Sequence, residues 1–172
     1  MENSKGKLWE KGIIIALIMI VLNLILHFTH QDANRSLAYL GIGIFIVAII
    51  VVTILYSKDQ QGQATFGNLF AHGFKVSAVV TLIMIIWIVL SYKVIFPEMP
   101  ERIMNIQRAE ALKRGIPEAD LERGMAVSKK FFTTFAVGGT LLFYAFFGAI
   151  GALLGAAFSK KAPANSSPFQ QQ

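Results

Sequence analysis

Residues 100–130, PERIMNIQRAEALKRGIPEADLERGMAVSKK, place seven basic and five acidic side chains between two stretches that water rejects. Ahead of them runs VVTLIMIIWIVLSYKVIF (79–96), and behind them FFTTFAVGGTLLFYAFFGAIGALLGAAF (131–158). A helix needs roughly 20 mostly apolar residues to cross a hydrocarbon core about 30 Å thick, and each flank is of that order. The charged stretch therefore belongs outside a bilayer, and its flanks belong inside one.

Working outward, four spans emerge. The first runs from Gly12 to about Phe28, and the second, Leu37 to Tyr56, carries no charge. The third covers about 74–96, with Lys75 and Lys93 near its ends, where their stems can snorkel to the headgroups. The fourth, 131–158, is long and uncharged, so it tilts or protrudes. Hydrocarbon demands that backbone polar groups be satisfied internally, and these lengths suit helices rather than barrel strands. The expected fold is all-α: a polytopic membrane protein, one four-span domain over 1–161, built as a four-helix transmembrane bundle. A charged helical hairpin over 97–130 separates spans three and four. The polar ending APANSSPFQQQ (162–172) reads as a disordered tail.

Composition agrees. Hydrophobic residues make up 55% of the 172 and charged residues 15%, against about 25% in soluble domains. Sixteen Lys and Arg face ten Asp and Glu. In a membrane chain that excess records orientation and contact with anionic lipid, so the bilayer is an expected partner and nucleic acid is not. The absence of cysteine excludes disulfides, thiol catalysis and thiolate metal sites.

The first span has the lysine-bearing start of a signal peptide, but HFTHQDANRS (27–36) follows it without a small-residue cleavage pattern, so it reads as an uncleaved anchor. Four spans put both termini on one side. Basic residues summed over all loops divide almost evenly between the two sides. The first helix breaks the tie: Lys5, Lys7 and Lys11 precede it and Arg35 follows, which places the termini in the cytoplasm.

Within the insert, Pro97 and Pro100 are read as stopping span three. A helix over 101–114 follows, with Glu98–Arg102 and Glu110–Arg114 spaced four apart, acid first. Gly115 is placed to cap it. Pro117 suits the first turn of a second short helix, with Glu118 and Asp120 near its positive end. The apolar faces (Ile103, Met104, Ile106 and Ala111; then Leu121 and Met125) are too thin for a separate core.

Together, QGQATFGNLFAHGFKVS (61–77), IFPEMPERI (95–103), RGIPEADLERGMAVSKKF (114–131) and the glycine-rich last span resemble the domain-of-unknown-function 4199 family of small bacterial membrane proteins. The resemblance covers roughly Lys7 to Lys161 and rests on overall pattern. It implies a bacterial inner (cytoplasmic) membrane. The family has no established activity or catalytic residues, so the resemblance assigns no residue a role.

Three sets of residues are candidates for function. GAIGALLGAAF (148–158) holds the pair Gly151 and Gly155 and a second small-residue ridge, Gly148, Ala152 and Gly155. Small residues let helix backbones approach closely, either within one bundle or between copies or partners. Asn23, His27 and His30, at spacings of four and three, form a polar stripe toward the outer end of span one, with Asp32 beyond. Such a stripe handles protons or metal, or else hydrogen-bonds a neighbouring helix. Two histidines are an incomplete zinc set. His72 and Lys75, three apart at the mouth of span three, suit a phosphate or lipid headgroup, or form an amphipathic lead-in.

No nucleophile elbow, phosphate-cradling loop or carboxylate pair within a span is present, so neither catalysis nor a bound cofactor or metal is expected. The expectation is a non-enzymatic accessory or assembly protein with a membrane-protein partner or as a homo-oligomer. The alternative is a small oligomeric transporter or channel.

Overall fold

The computed structural model describes residues 2–31 and 35–159, and these are helical apart from short turns. Five helices follow one another: α1 (Glu2–Phe28), α2 (Arg35–Asp59), α3 (Phe66–Leu90), α4 (Met99–Lys113) and α5 (Glu118–Phe158). Stretches of α1, α2, α3 and α5 are long and apolar enough to cross a bilayer, and at most a third of each is covered by the rest of the chain. Their outer faces carry side chains such as Phe28, Leu142 and Val94, each at least 70% exposed. Water would not tolerate that much exposed apolar surface, and lipid does. The chain is a multi-pass helical membrane protein. The tail expected over 162–172 lies outside the described residues.

The helices group into two compact units. The first takes the described residues up to Thr81 and from Tyr144 onward, which brings α1, α2, the first part of α3 and the last part of α5 together. Its core is Ile15, Ala16 and Met19 from α1, Phe45, Ile49 and Val52 from α2, Leu69, Val76, Val79 and Val80 from α3, and Tyr144, Ala152 and Ala156 from α5. Three of its buried hydroxyls bond to the carbonyl four residues back: Thr53 donates to Ile49 (2.8 Å), Thr81 to Ser77 (2.8 Å) and Ser159 to Gly155 (2.7 Å).

The second unit is Leu82–Phe143. Here α3 gives way to a π-helical turn at Ser91–Ile95, closed by the Phe96 amide donating to the Ser91 carbonyl at 2.7 Å. Phe96 then leaves the helical region (φ −133°, ψ 67°), because Pro97 crowds the residue before it. Pro97 thus ends the span as its position predicts. Pro100 does not: it lies in the first turn of α4, where a missing N–H costs nothing.

The insert's second helix is present where expected, after Pro117. It forms the first part of α5 and is set off from span four by a kink at Phe131, whose backbone is not helical (φ −109°, ψ 16°). Pro117 precedes α5, and its carbonyl accepts from the amides of Asp120 and Leu121. The turn into it is capped by Gly115 at φ 76°, with Ile116 donating to Ala111 and Gly115 to Leu112. Across the hairpin, Arg108 donates to Glu118 at 2.9 Å and lies 3.9 Å from Glu122, above buried Met104 and Leu121. Glu110 and Arg114 pair at 3.7 Å as their spacing predicts.

A Cβ at Gly115 would meet no atom within 4 Å, so only its backbone conformation resists substitution. Gly115→Ala is expected to destabilise this turn by about 1–2 kcal/mol. Hydrogen exchange at residues 111–116 checks it; unchanged protection there would refute the cap.

Candidate functional site

The glycine-rich stretch of α5 is the tightest part of the first unit, and its small residues divide between two neighbours. Gly151 and Gly155 face α2: a Cβ on Gly155 would lie 2.6 Å from Thr53 Cβ and 3.1 Å from Ile50 Cα. One on Gly151 would lie 3.0 Å from Ile49 Cβ and 3.1 Å from the Ile46 carbonyl oxygen. Gly148 and Ala152 face α3. A Cβ on Gly148 would run into the Ser77 hydroxyl and lie 2.6 Å from Ser77 Cβ, and Gly73 of α3 sits against Ala152. The Ser77 hydroxyl donates to the Tyr144 carbonyl at 3.2 Å, a bond made between helices. The contacts Gly148–Phe45, Gly151–Ile49 and Gly155–Thr53 advance together, so α5 and α2 run the same way, while α3 runs against them. The four ridge residues are thus engaged within one chain.

The receiving side was missed in the sequence. Gly73 and Ser77 are four apart in GFKVS and form a small-residue pair of their own. Gly12 of α1 makes a third close approach, with a Cβ there only 2.5 Å from Val79 Cγ1.

His72 and Lys75 lie on the first part of α3. α3 begins at Phe66, where Thr65 supplies the cap by accepting from the Asn68 amide at 3.3 Å. The pair therefore lies about two turns into the helix, at the entry to the stretch 74–96 read as span three. There His72 lies flat on Tyr56 of α2, ring centroids 3.8 Å apart and planes 5° from parallel. Its Nε2 is buried with no hydrogen-bond partner among the described residues. Lys11 of α1 and Asp59 of α2 pair loosely at 3.8 Å, and both act electrostatically on His72, as does Lys75. Three helices thus converge on one charged cluster, of which the sequence exposed only two members.

The polar stripe of span one is shorter than expected. α1 ends at Phe28, and the His30 and Gln31 amides close it onto the His27 and Leu26 carbonyls. His30 takes the left-handed conformation (φ 56°) that this cap requires, and so leaves the face that Asn23 and His27 share. Asn23 is exposed, and His27 is half-buried with its ring edge-on to Phe28 at 5.6 Å. Asp32 lies outside the described residues. Among those described, no three His, Asp or Glu side chains converge as a metal would require.

A family model described as "Protein of unknown function (DUF4199)" matches residues 10–161. No curated protein and no solved structure matches the chain.

Proposed function

The chain belongs to the DUF4199 family of proteins of unknown function, and we propose that it is a non-enzymatic accessory or assembly protein of a bacterial inner membrane, its termini in the cytoplasm. One observation carries this reading: the interior of the first unit is filled. Phe45, Ile49, Leu69, Val76 and Val80 are all 0% exposed, and glycines bring α5 to within backbone contact of α2. In this unit the hydroxyls of Thr53, Ser77, Thr81 and Ser159 donate to main-chain carbonyls instead of lining a path. A bundle packed in this way makes a poor pore. The hairpin of α4 and the start of α5 offers charged surface to a membrane-protein partner, and the bilayer covers the rest. Nucleic acid has no part in this reading.

Mild crosslinking followed by mass spectrometry of co-isolated proteins tests it. A stable heteromeric partner is the expected result. A homo-oligomer that conducts ions in liposomes would favour the transporter or channel instead, with a path between copies near Asn23 and His27.

The orientation is tested on the natural cysteine-free background. Cysteines at Ser4 and Ser166 are expected to resist an impermeant thiol reagent in intact spheroplasts, and one at Ala119 to react. The reverse labelling would invert the topology.

A further inference from the structure

We propose that Lys11, His72 and Lys75 form a binding site for a phosphate group, carried by a membrane lipid headgroup or free in solution. Charge is the first reason. The charges of Lys11 and Lys75 both act on the imidazole, and that of Asp59 opposes them. The Lys11 side chain is only 22% exposed, yet its ammonium meets Asp59 at 3.8 Å, and that carboxylate is 56% exposed to its surroundings. A largely covered cation with so loose a counter-ion favours a further anion.

The second reason is the imidazole. Stacking on Tyr56 fixes its plane, and the buried Nε2 has no acceptor or donor to meet. Buried polar atoms are normally paired, and a phosphate oxygen would accept from Nε2–H once a covering side chain moves aside. Lys75, exposed and three residues on, reaches the same anion from the same helical face.

Depth is the third. The apolar stretch Phe66–Ile95 has 30 residues; at 1.5 Å each it is about 45 Å long, against about 30 Å of hydrocarbon. His72 lies about 9 Å along it and meets Asp59, where the α2 span ends, and Lys11, close to where the α1 span begins, so the cluster lies toward one end of the spans.

The test uses the full chain in detergent, with native mass spectrometry counting retained phosphatidylglycerol and inorganic phosphate added as competitor. Lys75→Gln and His72→Phe, the latter keeping a ring against Tyr56, are each expected to weaken retention about tenfold, the scale of one charge-assisted hydrogen bond. Asp59→Asn is expected to strengthen it severalfold, because it removes the opposing charge. Lys58→Gln, an exposed lysine next to Asp59, should change it by less than twofold. Competition by millimolar inorganic phosphate identifies free phosphate as the ligand, and no competition identifies the lipid; both support the site. Equal losses in Lys58→Gln and Lys75→Gln would mean diffuse attraction and overturn it, as would weaker binding in Asp59→Asn. Because Lys75 is exposed, its variant decides the matter even where another fails to fold.

Discussion

Gly155→Leu is expected to leave no folded monomer in detergent, while Leu153→Ala, two residues away, folds as the parent does. The difference lies in what each side chain meets. The first atom added at Gly155 would already sit 2.6 Å from Thr53 Cβ and 3.1 Å from Ile50 Cα, so backbone as well as side chain must move. Inserting methylenes into a packed core costs about 1–3 kcal/mol. A leucine adds four carbons against a helix that cannot yield locally, a large fraction of the roughly 5–15 kcal/mol that holds a domain together. Leu153 is 45% exposed on another face, so truncating it removes lipid contact and leaves no cavity between helices. Fluorescence-detected size-exclusion chromatography reads both variants. A folded but dissociated Gly155→Leu protein would place the ridge between chains, and an unaffected one would place it against lipid.

Gly148→Ala is expected to cost roughly 2 kcal/mol, and Ser77→Gly to recover at least half of that loss in the double variant. The added methyl would collide with the Ser77 hydroxyl and Cβ, and a glycine at 77 removes both. The next obstacle, Phe45 Cζ at 3.6 Å, is ordinary contact. Recovery stays incomplete because the Ser77–Tyr144 bond is lost and a helical glycine costs about 1 kcal/mol. Thermal unfolding of the two singles and the double gives the coupling. Strictly additive losses would mean that the two residues do not meet.

The spans were legible because their signal is local: an uninterrupted apolar run of the right length has few alternatives in a bilayer. The same holds for Gly115, whose residue type announces the left-handed conformation it adopts at φ 76°. It fails at His30 and Gln61, which take that conformation at φ 56° and 51° without being glycine, so α1 appeared to run on through His30. At residues 118–131 the change of polarity coincides with a break in the helix, the non-helical Phe131 at which span four begins.

The sequence by itself therefore determined the number of spans, the charged hairpin and the presence of a small-residue ridge. Each depends on neighbours along the chain. Only the tertiary structure decided which helices the ridge touches, since a glycine pattern records room for a close approach and not the identity of what approaches. It alone also brought Lys11, Tyr56 and Asp59 to His72. Those four come from three helices, and their meeting follows from the crossings at Gly12, Gly73 and Gly155, which no local periodicity encodes.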